Sequence, residues 1–454
     1  MTDGNDTQGM PVFMKTLTEA LPSSFDVLHV PLAIEEAKAH LLYIKTVANG
    51  EVLQQTVIKP FFELADSKKF TAYIKGLPNR IDLPSTDDVL TMLTSGFVLV
   101  YVEETFNLLE IRRLGNTMQG QTIAETTIHG PQLALSEDLE TNVNIIRQHY
   151  HQPSLFVESQ QLNDKSKMTI AIMYDEKEVN IDVLRRVKEK LGSLDEPLIQ
   201  SAGDLAVRLT SRKFSLFPMS IITERPDRIV YNLTGGKIIL LVDNTPFAIV
   251  LPVVFFDFMV SMEENYHTYA VSVYNTLLGW AGLMMCLLLP GLYVAFTAYS
   301  PEILRTELTL SIAGSRIGVP YPSYIEAIIM LIFVELLTEA SVRLPRSINA
   351  AATTVGGLIL GTAATEAALA SNILIMVIAI VAISTFVIPM IELGSVVRIC
   401  RLLLIFFTTF FGLIGLISGM LLIILHLTNL DSFGQPYLRI GWRSKRSEKK
   451  VSSE

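Results

Sequence analysis

Long apolar runs between residues 324 and 426 constrain this chain more than any other feature. A helix needs about 20 mostly apolar residues to cross the hydrocarbon core of a membrane. Three segments approach that length, at 325–342, 373–391 and 402–427, and a fourth precedes them at 275–298. The chain is therefore predicted to be an integral membrane protein, whose function lies where polar groups interrupt these segments.

The distribution of charge divides the chain into regions. No lysine occurs between Lys237 and Lys445, whereas the first 250 residues carry charges at an ordinary globular frequency. The predicted fold class is an α+β cytoplasmic N-terminal region of two mixed subdomains, followed by an all-α multi-pass transmembrane domain. The predicted divisions are a flexible leader at 1–24, a first subdomain at 25–125, a second subdomain at 126–252 that ends in a β-meander, the transmembrane domain at 253–430 and a basic cytoplasmic tail at 431–454.

Alternating apolar residues and helical periodicity predict the elements of the soluble region. The predicted strands are Ala39–Val47, Gly96–Val102 and Met168–Tyr174, and the predicted helices are Gln54–Ala65, Thr86–Thr94, Glu137–His149 and Asn180–Leu191. The meander is expected to consist of strands at Arg228–Leu233, Lys237–Asp243 and Pro246–Pro252. Its first two strands would be joined by a hairpin turn at Gly235-Gly236.

Composition excludes several classes of function. The formal net charge is −9, and no stretch is basic enough for a nucleic-acid footprint. The basic residues of Arg439–Lys450 suit a juxtamembrane segment that faces anionic lipid, although a solvated tail fits them equally well. The two cysteines, Cys286 and Cys400, give no disulfide framework or metal-ligand spacing. No catalytic or nucleotide-binding motif occurs, so neither an enzyme nor a cofactor is predicted.

The membrane topology remains open at this level. Met1–Ser24 lacks the pattern of a signal peptide, and both termini are expected in the cytoplasm, which requires an even number of crossings. Five apolar segments are found when 349–371 is counted. Either that segment or a neighbour does not cross, or the weaker 308–322 region adds a crossing. Glu326 is expected at the membrane interface.

Ionisable residues in the next helix form a candidate gating group. Glu335, Glu339 and Arg343 are spaced four residues apart and so share one helix face. A Glu339–Arg343 ion pair would have the favourable orientation, with the acidic residue nearer the N-terminus. Pro345 ends this helix and leaves Arg346 at a possible hinge. An ordinary helix end at the headgroup level is the alternative.

The segment 349–371 is rich in glycine, alanine and threonine. Gly357 and Gly361 have the spacing that lets helix backbones approach closely. One side of the helix carries the candidate pore-lining residues Thr354, Gly361, Thr362, Thr365 and Glu366. In a symmetric oligomer this side would line a narrow path with hydroxyls and an acidic ring, which favours cations. A helix buried between its neighbours, with Glu366 near the interface, is the alternative.

A set of motifs resembles one known family. The motifs are Gly130-Pro131, Ser136–Asn142, Ile146-Arg147, Phe217–Arg228, Leu241–Phe247, Tyr321-Pro322, Glu339–Arg346 and Phe433–Leu438. Together they span roughly 125–440, and they resemble the A subunit of GerA-type spore germinant receptors. The set is far more specific than any single short motif.

This resemblance implies an inner spore membrane protein that acts with a nutrient-binding B subunit and a lipoprotein C subunit. It also implies that A subunits form a homo-oligomer that acts as a ligand-gated cation channel. A non-conducting scaffold or receptor subunit is the alternative. A secondary transporter ranks lower, because the sequence has no second copy of the 349–371 pattern.

Overall fold

The computed structural model describes most of the chain. The described residues are 12–21, 24–34, 37–83, 85–113, 120–125, 127–162, 167–194, 198–210 and 215–439. The predicted leader lies partly outside these ranges, and most of the predicted basic tail does too.

The first subdomain is a five-stranded antiparallel sheet in the order β1-β2-β4-β5-β3. Its elements are α1 (Val12–Ala20), β1 (Val27–Ile34), β2 (Ala37–Ile44), α2 (Gly50–Leu53), a π turn (Gln54–Ile58), α3 (Lys59–Leu64), α4 (Ser67–Lys75), β3 (Arg80–Ile81), α5 (Thr86–Thr94), β4 (Phe97–Val102) and β5 (Thr105–Glu110). Val98 packs on one face with Phe61, and neighbouring Leu99 packs on the other with Met14. Helices cover both faces, which is why β4 is almost uniformly apolar.

The second subdomain is another five-stranded antiparallel sheet, in the order β6-β7-β9-β10-β8. Its elements are α6 (Leu139–His149), β6 (Leu155–Gln161), β7 (Thr169–Asp175), α7 (Ile181–Gly192), α8 (Ala202–Thr210), β8 (Ile221–Thr223), α9 (Pro226–Thr234), β9 (Ile238–Val242) and β10 (Ala248–Leu251). One face packs on α7 and α8, and the opposite face joins a core that continues into the helical region.

The predicted β-meander is wrong in its first strand. Residues 228–233 belong to the helix α9, in which Pro226 occupies the first turn, where a missing N–H costs nothing. Gly235-Gly236 is accordingly a helix-to-strand turn and not a hairpin, and Gly236 has a φ of 77°. The strand beside β10 is β8, which precedes α9 in the chain.

A buried ion pair joins the two subdomains. Arg147 of α6 donates to both carboxylate oxygens of Asp26, at 2.8 and 2.9 Å, and their side chains are 2% and 0% exposed. Ser24 and Thr46 donate to the same carboxylate. Burial works to raise the pKa of Asp26, but the charge and hydrogen bonds of Arg147 outweigh it and hold the pKa below its usual value.

The C-terminal region is entirely helical apart from a short hairpin (β11, Asp431–Ser432; β12, Gln435–Pro436), which confirms the predicted fold class. The helices are α10 (Tyr269–Val294), α11 (Thr306–Ser315), α12 (Ser323–Arg343), α13 (Arg346–Glu366), α14 (Asn372–Phe386) and α15 (Ile391–Thr428). Of the described helices, three are long and apolar enough to cross a membrane: Tyr269–Tyr299, Ile348–Glu366 and Ile391–Thr428. The apolar helix α14 is shorter.

The last apolar run reverses direction at Gly412. This residue has φ 57° and ψ −135°, a conformation that side chains other than glycine's hardly adopt. Gly415 lies against the carbonyl of Phe407, and a Cβ on Gly419 would meet Leu404 at 2.8 Å. The element α15 is therefore a helical hairpin with an outgoing arm (391–411) and a return arm (413–428). The outgoing arm is about 31 Å long at 1.5 Å per residue.

This reversal divides the last apolar run into two segments. Both arms of α15 lie along α10, because a Cβ on Gly291 would meet Thr408 at 3.3 Å and Leu416 at 2.7 Å. Within the continuously described residues 215–439, and apart from the short helix α11, six segments follow one another: α10, α12, α13, α14 and the two arms. Their directions alternate, because the end of α10 and the starts of α12 and α14 meet through Tyr293, Glu326 and Ser371. The chain consequently returns to the soluble region, where Tyr437 donates to the carbonyl of Pro218 at 2.8 Å.

Replacing the glycine at the reversal should destabilise the hairpin. Gly412→Ala forces a side chain into a left-handed conformation, at a cost of about 1–2 kcal/mol, and places its Cβ within 2.8 Å of the ring of Tyr299. We expect a lower thermal unfolding midpoint for the detergent-purified protein by scanning fluorimetry. Gly394→Ala is the matched control, because its Cβ would meet nothing within 4 Å; equal midpoints for the two variants would contradict the reversal.

Removing the cation of the buried pair should destabilise the soluble region. Arg147→Met leaves the Asp26 carboxylate buried without a countercharge, which typically costs about 3–5 kcal/mol. Arg185→Met is the control, because its ion pair with Asp182 is 64% and 73% exposed, and such pairs contribute at most about 1 kcal/mol.

The deficit of Arg147→Met should also depend on pH. In the wild type the lowered pKa of Asp26 gives stability above the unfolded pKa of about 3.9, which is lost as the pH falls. In the variant, burial without the cation raises that pKa, so the variant loses stability as the pH rises. The thermal unfolding midpoints of the wild type and of Arg147→Met should therefore converge as the pH falls from 7 to 4. A gap that stays constant over this range would contradict the pairing of Asp26 with Arg147.

Candidate functional site

The candidate pore-lining residues lie on the least covered of the three candidate membrane spans. Only 6% of the α13 span is buried within the chain, against 50% for the α10 span and 28% for the α15 span. Thr354, Thr362 and Glu366 are exposed, and Gly361 and Thr365 are partly covered. In a single chain this polar side therefore faces away from the rest of the protein.

The hydroxyls of this side are bonded within the helix. Thr354 donates to the carbonyl of Ala350 at 2.8 Å, Thr362 to that of Leu358 at 3.0 Å, and Thr365 to that of Thr362 at 2.8 Å. These internal bonds let threonine lie in apolar surroundings, so they do not by themselves indicate water. Leu358, which is 68% exposed, lies on the same side and interrupts the polar stripe.

Small residues bring α13 close to α12. A Cβ on Gly356 would meet Leu337 at 3.1 Å, and one on Gly357 would meet the same side chain at 3.7 Å. Gly361 has nothing within 4 Å of its Cβ position. Within one chain the close approach thus involves Gly356 and Gly357, and the space beside Gly361 is open to a neighbour.

Glu335 is the centre of a charge cluster inside the bundle. Arg398 donates to Glu335 at 3.1 Å, and Arg401 donates to its other oxygen. Arg401 is 2% exposed and also lies 3.5 Å from the sulfur of Cys286 in α10. Three elements, α10, α12 and the outgoing arm, therefore meet at one buried ion pair.

The rest of the candidate gating group is at the surface of the chain. Arg343 donates to Glu339 at 2.8 Å, and the two side chains are 77% and 57% exposed. The side chain of Arg346 lies outside the described part of the chain. Leu344 and Pro345 form the entire connection between α12 and α13, so the predicted helix break is where the sequence placed it.

Glu326, expected only at an interface, has a buried set of partners. Its side chain is 0% exposed; Arg316 donates to it at 3.2 Å, and the backbone N–H of Ser371 donates at 2.6 Å. Tyr293 of α10 lies 3.5 Å away and contacts Ser371 at 3.2 Å. This cluster fixes the starts of α12 and α14 at the end of the bundle remote from the soluble region.

A network of charges lies where the soluble region meets the bundle. Arg225 pairs with Asp227 at 2.6 Å, and Arg228 pairs with Glu125 at 2.6 Å. Tyr266, three residues before α10, donates to Asp227 at 2.7 Å. The pKa of Asp227 is below its usual value, because the hydrogen bonds from Arg225 and Tyr266 outweigh the effect of burial.

The same junction holds a buried lysine. Lys237 pairs with Asp257 at 2.7 Å, and its side chain is 4% exposed. Burial lowers the pKa of Lys237, and the ion pair with Asp257 opposes that effect. The network and this pair together fix the strand β9 and the turn at 255–259 before α10.

Sequence reasoning missed Arg398, Arg401 and Glu125 as partners. For the two arginines the sequence does indicate an ion pair, because they are three residues apart on one face of an apolar helix. Such a pair of charges requires an acidic partner on an adjacent helix. Glu125 offered no such signal, since it lies in a loop about a hundred residues before Arg228.

An α+β soluble region carried on apolar helices that bury ion pairs is the architecture of an integral membrane protein. The model of the family described as "Bacillus/Clostridium GerA spore germination protein" matches residues 15–451. The chain therefore belongs to the GerA family and is a spore germinant receptor A subunit of that family.

Similar proteins carry related names. The spore germination protein GerLA of Bacillus cereus is 30% identical over 87% of this chain and 78% of its own length. The spore germination protein B1 of Bacillus subtilis (strain 168) is 28% identical over 94% of this chain and 90% of its own length. The chain is also similar to a crystal structure of the N-terminal domain of the A subunit of the Bacillus megaterium spore germinant receptor GerK3. The alignment covers 53% of this chain and 94% of the solved chain, at 22% identity and a TM-score of 0.41.

Neutralising Glu335 should destabilise the bundle. Glu335→Gln leaves two arginines without a countercharge, one of them almost fully buried, and the loss of one partner of a buried pair costs about 3–5 kcal/mol. Glu339→Gln, one turn later on the same helix, is the matched control, because its exposed pair contributes about 1 kcal/mol at most. The thermal unfolding midpoints of the two variants in detergent measure these losses of stability. A larger loss in Glu339→Gln than in Glu335→Gln would refute the role of Glu335 as the centre of the charge cluster.

Proposed function

We propose that this A subunit forms a homo-oligomer in which α13 helices surround a cation path that opens when germinant binds a partner subunit. The single observation that carries this proposal is the exposure of α13. Its threonines and its terminal carboxylate project from the chain on a helix of which only 6% is buried.

Lipid is a poor environment for this helix. An ionised carboxylate at membrane depth costs from about 2.5 kcal/mol upward unless it faces protein or water. Open space beside Gly361 lets a second backbone approach closely without a clash. Neighbouring copies of α13 would fill the space beside Gly361 and exclude lipid from Glu366. They would also bring several Glu366 side chains together. Such an acidic ring selects cations.

The joint between α12 and α13 supports a gating role. The Glu335 cluster holds α12 against α10 and the outgoing arm, whereas α13 is tied to α12 by two residues, Leu344 and Pro345. A rotation at this joint would move the α13 side chains without separating any buried ion pair. Glu339, Arg343 and Arg346 lie at the joint and are the candidate gating charges.

In this proposal each of the six alternating helical segments crosses the membrane once. Six crossings place the soluble region and the basic tail on one side, the cytoplasmic side of the inner spore membrane. A nutrient-binding B subunit and a lipoprotein C subunit would complete a receptor that is not an enzyme and needs no cofactor. Anionic lipid would contact the tail.

Two substitutions on α13 test the ion path. Glu366→Gln removes the charge of the proposed ring, and we expect at least a several-fold lower ratio of K⁺ to Cl⁻ flux in liposomes that contain the purified oligomer. Gly361→Leu fills the open space beside α13, and we expect it to reduce flux or change the oligomeric state. Cation-sensitive dyes report the flux, and light scattering coupled to size-exclusion chromatography reports the assembly.

Matched controls separate the path from general damage. Glu302→Gln removes another exposed carboxylate from the same end of the bundle, and Gly314→Leu fills another helical site with nothing within 4 Å. Both should leave flux and assembly unchanged. Normal cation flux in Glu366→Gln and Gly361→Leu would eliminate the ion path. An oligomer that never conducts would favour the non-conducting scaffold.

A further inference from the structure

Two histidines and a glutamate converge beside the first residues of the bundle. His129 lies in the loop between the subdomains, and Glu263 and His267 lie in the turn that leads into α10. His129 Nδ1 is 3.0 Å from Glu263 Oε1, and His267 Nε2 is 3.6 Å from the same oxygen. One donor atom from each residue lies within 4.8 Å of the others.

The backbone holds this group in place. The N–H groups of Ile128 and His129 donate to the Glu263 carboxylate, at 2.9 and 3.4 Å. The loop cannot move away easily, because Gly130 is packed so closely that a Cβ there would meet Tyr266 at 2.7 Å and Arg225 at 2.9 Å. The separation of the donors therefore follows from the fold and not from flexible side chains alone.

The donor set matches a transition-metal cation. Zinc binds imidazole nitrogen and carboxylate oxygen at about 2.0–2.1 Å, which puts the ligand atoms of a tetrahedral site about 3.3 Å apart. The observed 3.0 and 3.6 Å bracket that value. We propose that His129, Glu263 and His267 bind a divalent transition-metal cation, typified by Zn²⁺, with water at the remaining position. The inference does not depend on ion conduction.

Nearby charges are compatible with a bound cation. Arg225 packs on the loop beside Gly130, and its charge is balanced by Asp227 at 2.6 Å. His129 must give up its Nδ1 proton on binding, because the metal takes that lone pair.

A metal here would join the loop between the subdomains to the start of α10. Local sequence patterns do not indicate this site, since His129 precedes Glu263 by 134 residues and neither histidine belongs to a short ligand motif. Two imidazole ligands also disfavour Ca²⁺ and Mg²⁺, which prefer oxygen ligands.

Isothermal titration calorimetry with Zn²⁺ tests the site on the full-length protein in detergent, purified without a histidine tag. A second histidine pair, His29 and His40 at 3.1 Å, could bind metal weakly, so every protein carries His40→Gln. We expect one Zn²⁺ per chain, with affinity at least ten-fold weaker in His129→Gln and in His267→Gln. The matched control His151→Gln, an exposed histidine elsewhere, should bind like the parent, and Ca²⁺ and Mg²⁺ should give no binding heat.

X-ray absorption at the zinc edge of the loaded parent protein gives a second readout that needs no substitution at the proposed site. Two imidazole ligands per zinc are expected. The proposal is overturned if the parent binds no Zn²⁺, if His267→Gln binds it as tightly as the parent, or if the absorption shows fewer than two imidazoles.

Discussion

Glu335 lies between Arg398 and Arg401 in the middle of an apolar bundle, and the arrangement of the helices depends on this contact. A charge in such surroundings is tolerated only with a partner, so α12 and the outgoing arm of α15 must lie side by side at this depth. Cys286 extends the contact to α10. The pair Arg316–Glu326 imposes the same condition at the remote end of the bundle. These two charge clusters fix α12 at two depths, and the apolar side chains fill the space between them.

The soluble region is attached by equally specific contacts. Phe217, Phe255 and Tyr437 form one aromatic cluster, with ring centroids 6.3–6.4 Å apart, where the second subdomain, the turn before α10 and the chain after the return arm meet. The ion pairs of Arg225 and Arg228 lie on the same side of the bundle. A displacement of the second subdomain would therefore act on both the first and the last segment of the bundle.

Local patterns in the sequence predicted much of the fold. The helix Thr86–Thr94 was predicted with its observed bounds, and the predicted strand Gly96–Val102 differs from β4 by one residue. The strand predicted at 228–233 is instead a helix because Pro226 and the apolar residues Ile229 and Leu233, four positions apart, favour one. Partners far apart in sequence could not be found this way: Glu335 and Arg401 are separated by 66 residues, and no local period relates them.

The reversal at Gly412 shows a further limit. The run 402–427 has the length of one span, and the sequence analysis counted it as one apolar segment. Gly415 and Gly419 do lie between the arms, but only the positive φ of Gly412 turns the chain, and a backbone angle is not visible in composition. Arg398 and Arg401 both lie on the outgoing arm, with their charges paired to Glu335.

The helix α13 differs from the other segments because the chain itself leaves it uncovered. α10, α14 and the arms of α15 pack on one another, whereas α13 contacts α12 through Gly356 and Gly357 and exposes Thr354, Thr362 and Glu366. Helix association within a membrane depends on close packing and polar contacts, since lipid is as apolar as leucine. A helix that has small residues on one side and polar groups on the other gains little from lipid. The proposed oligomer would place protein on several sides of α13, which one copy of this chain does not provide.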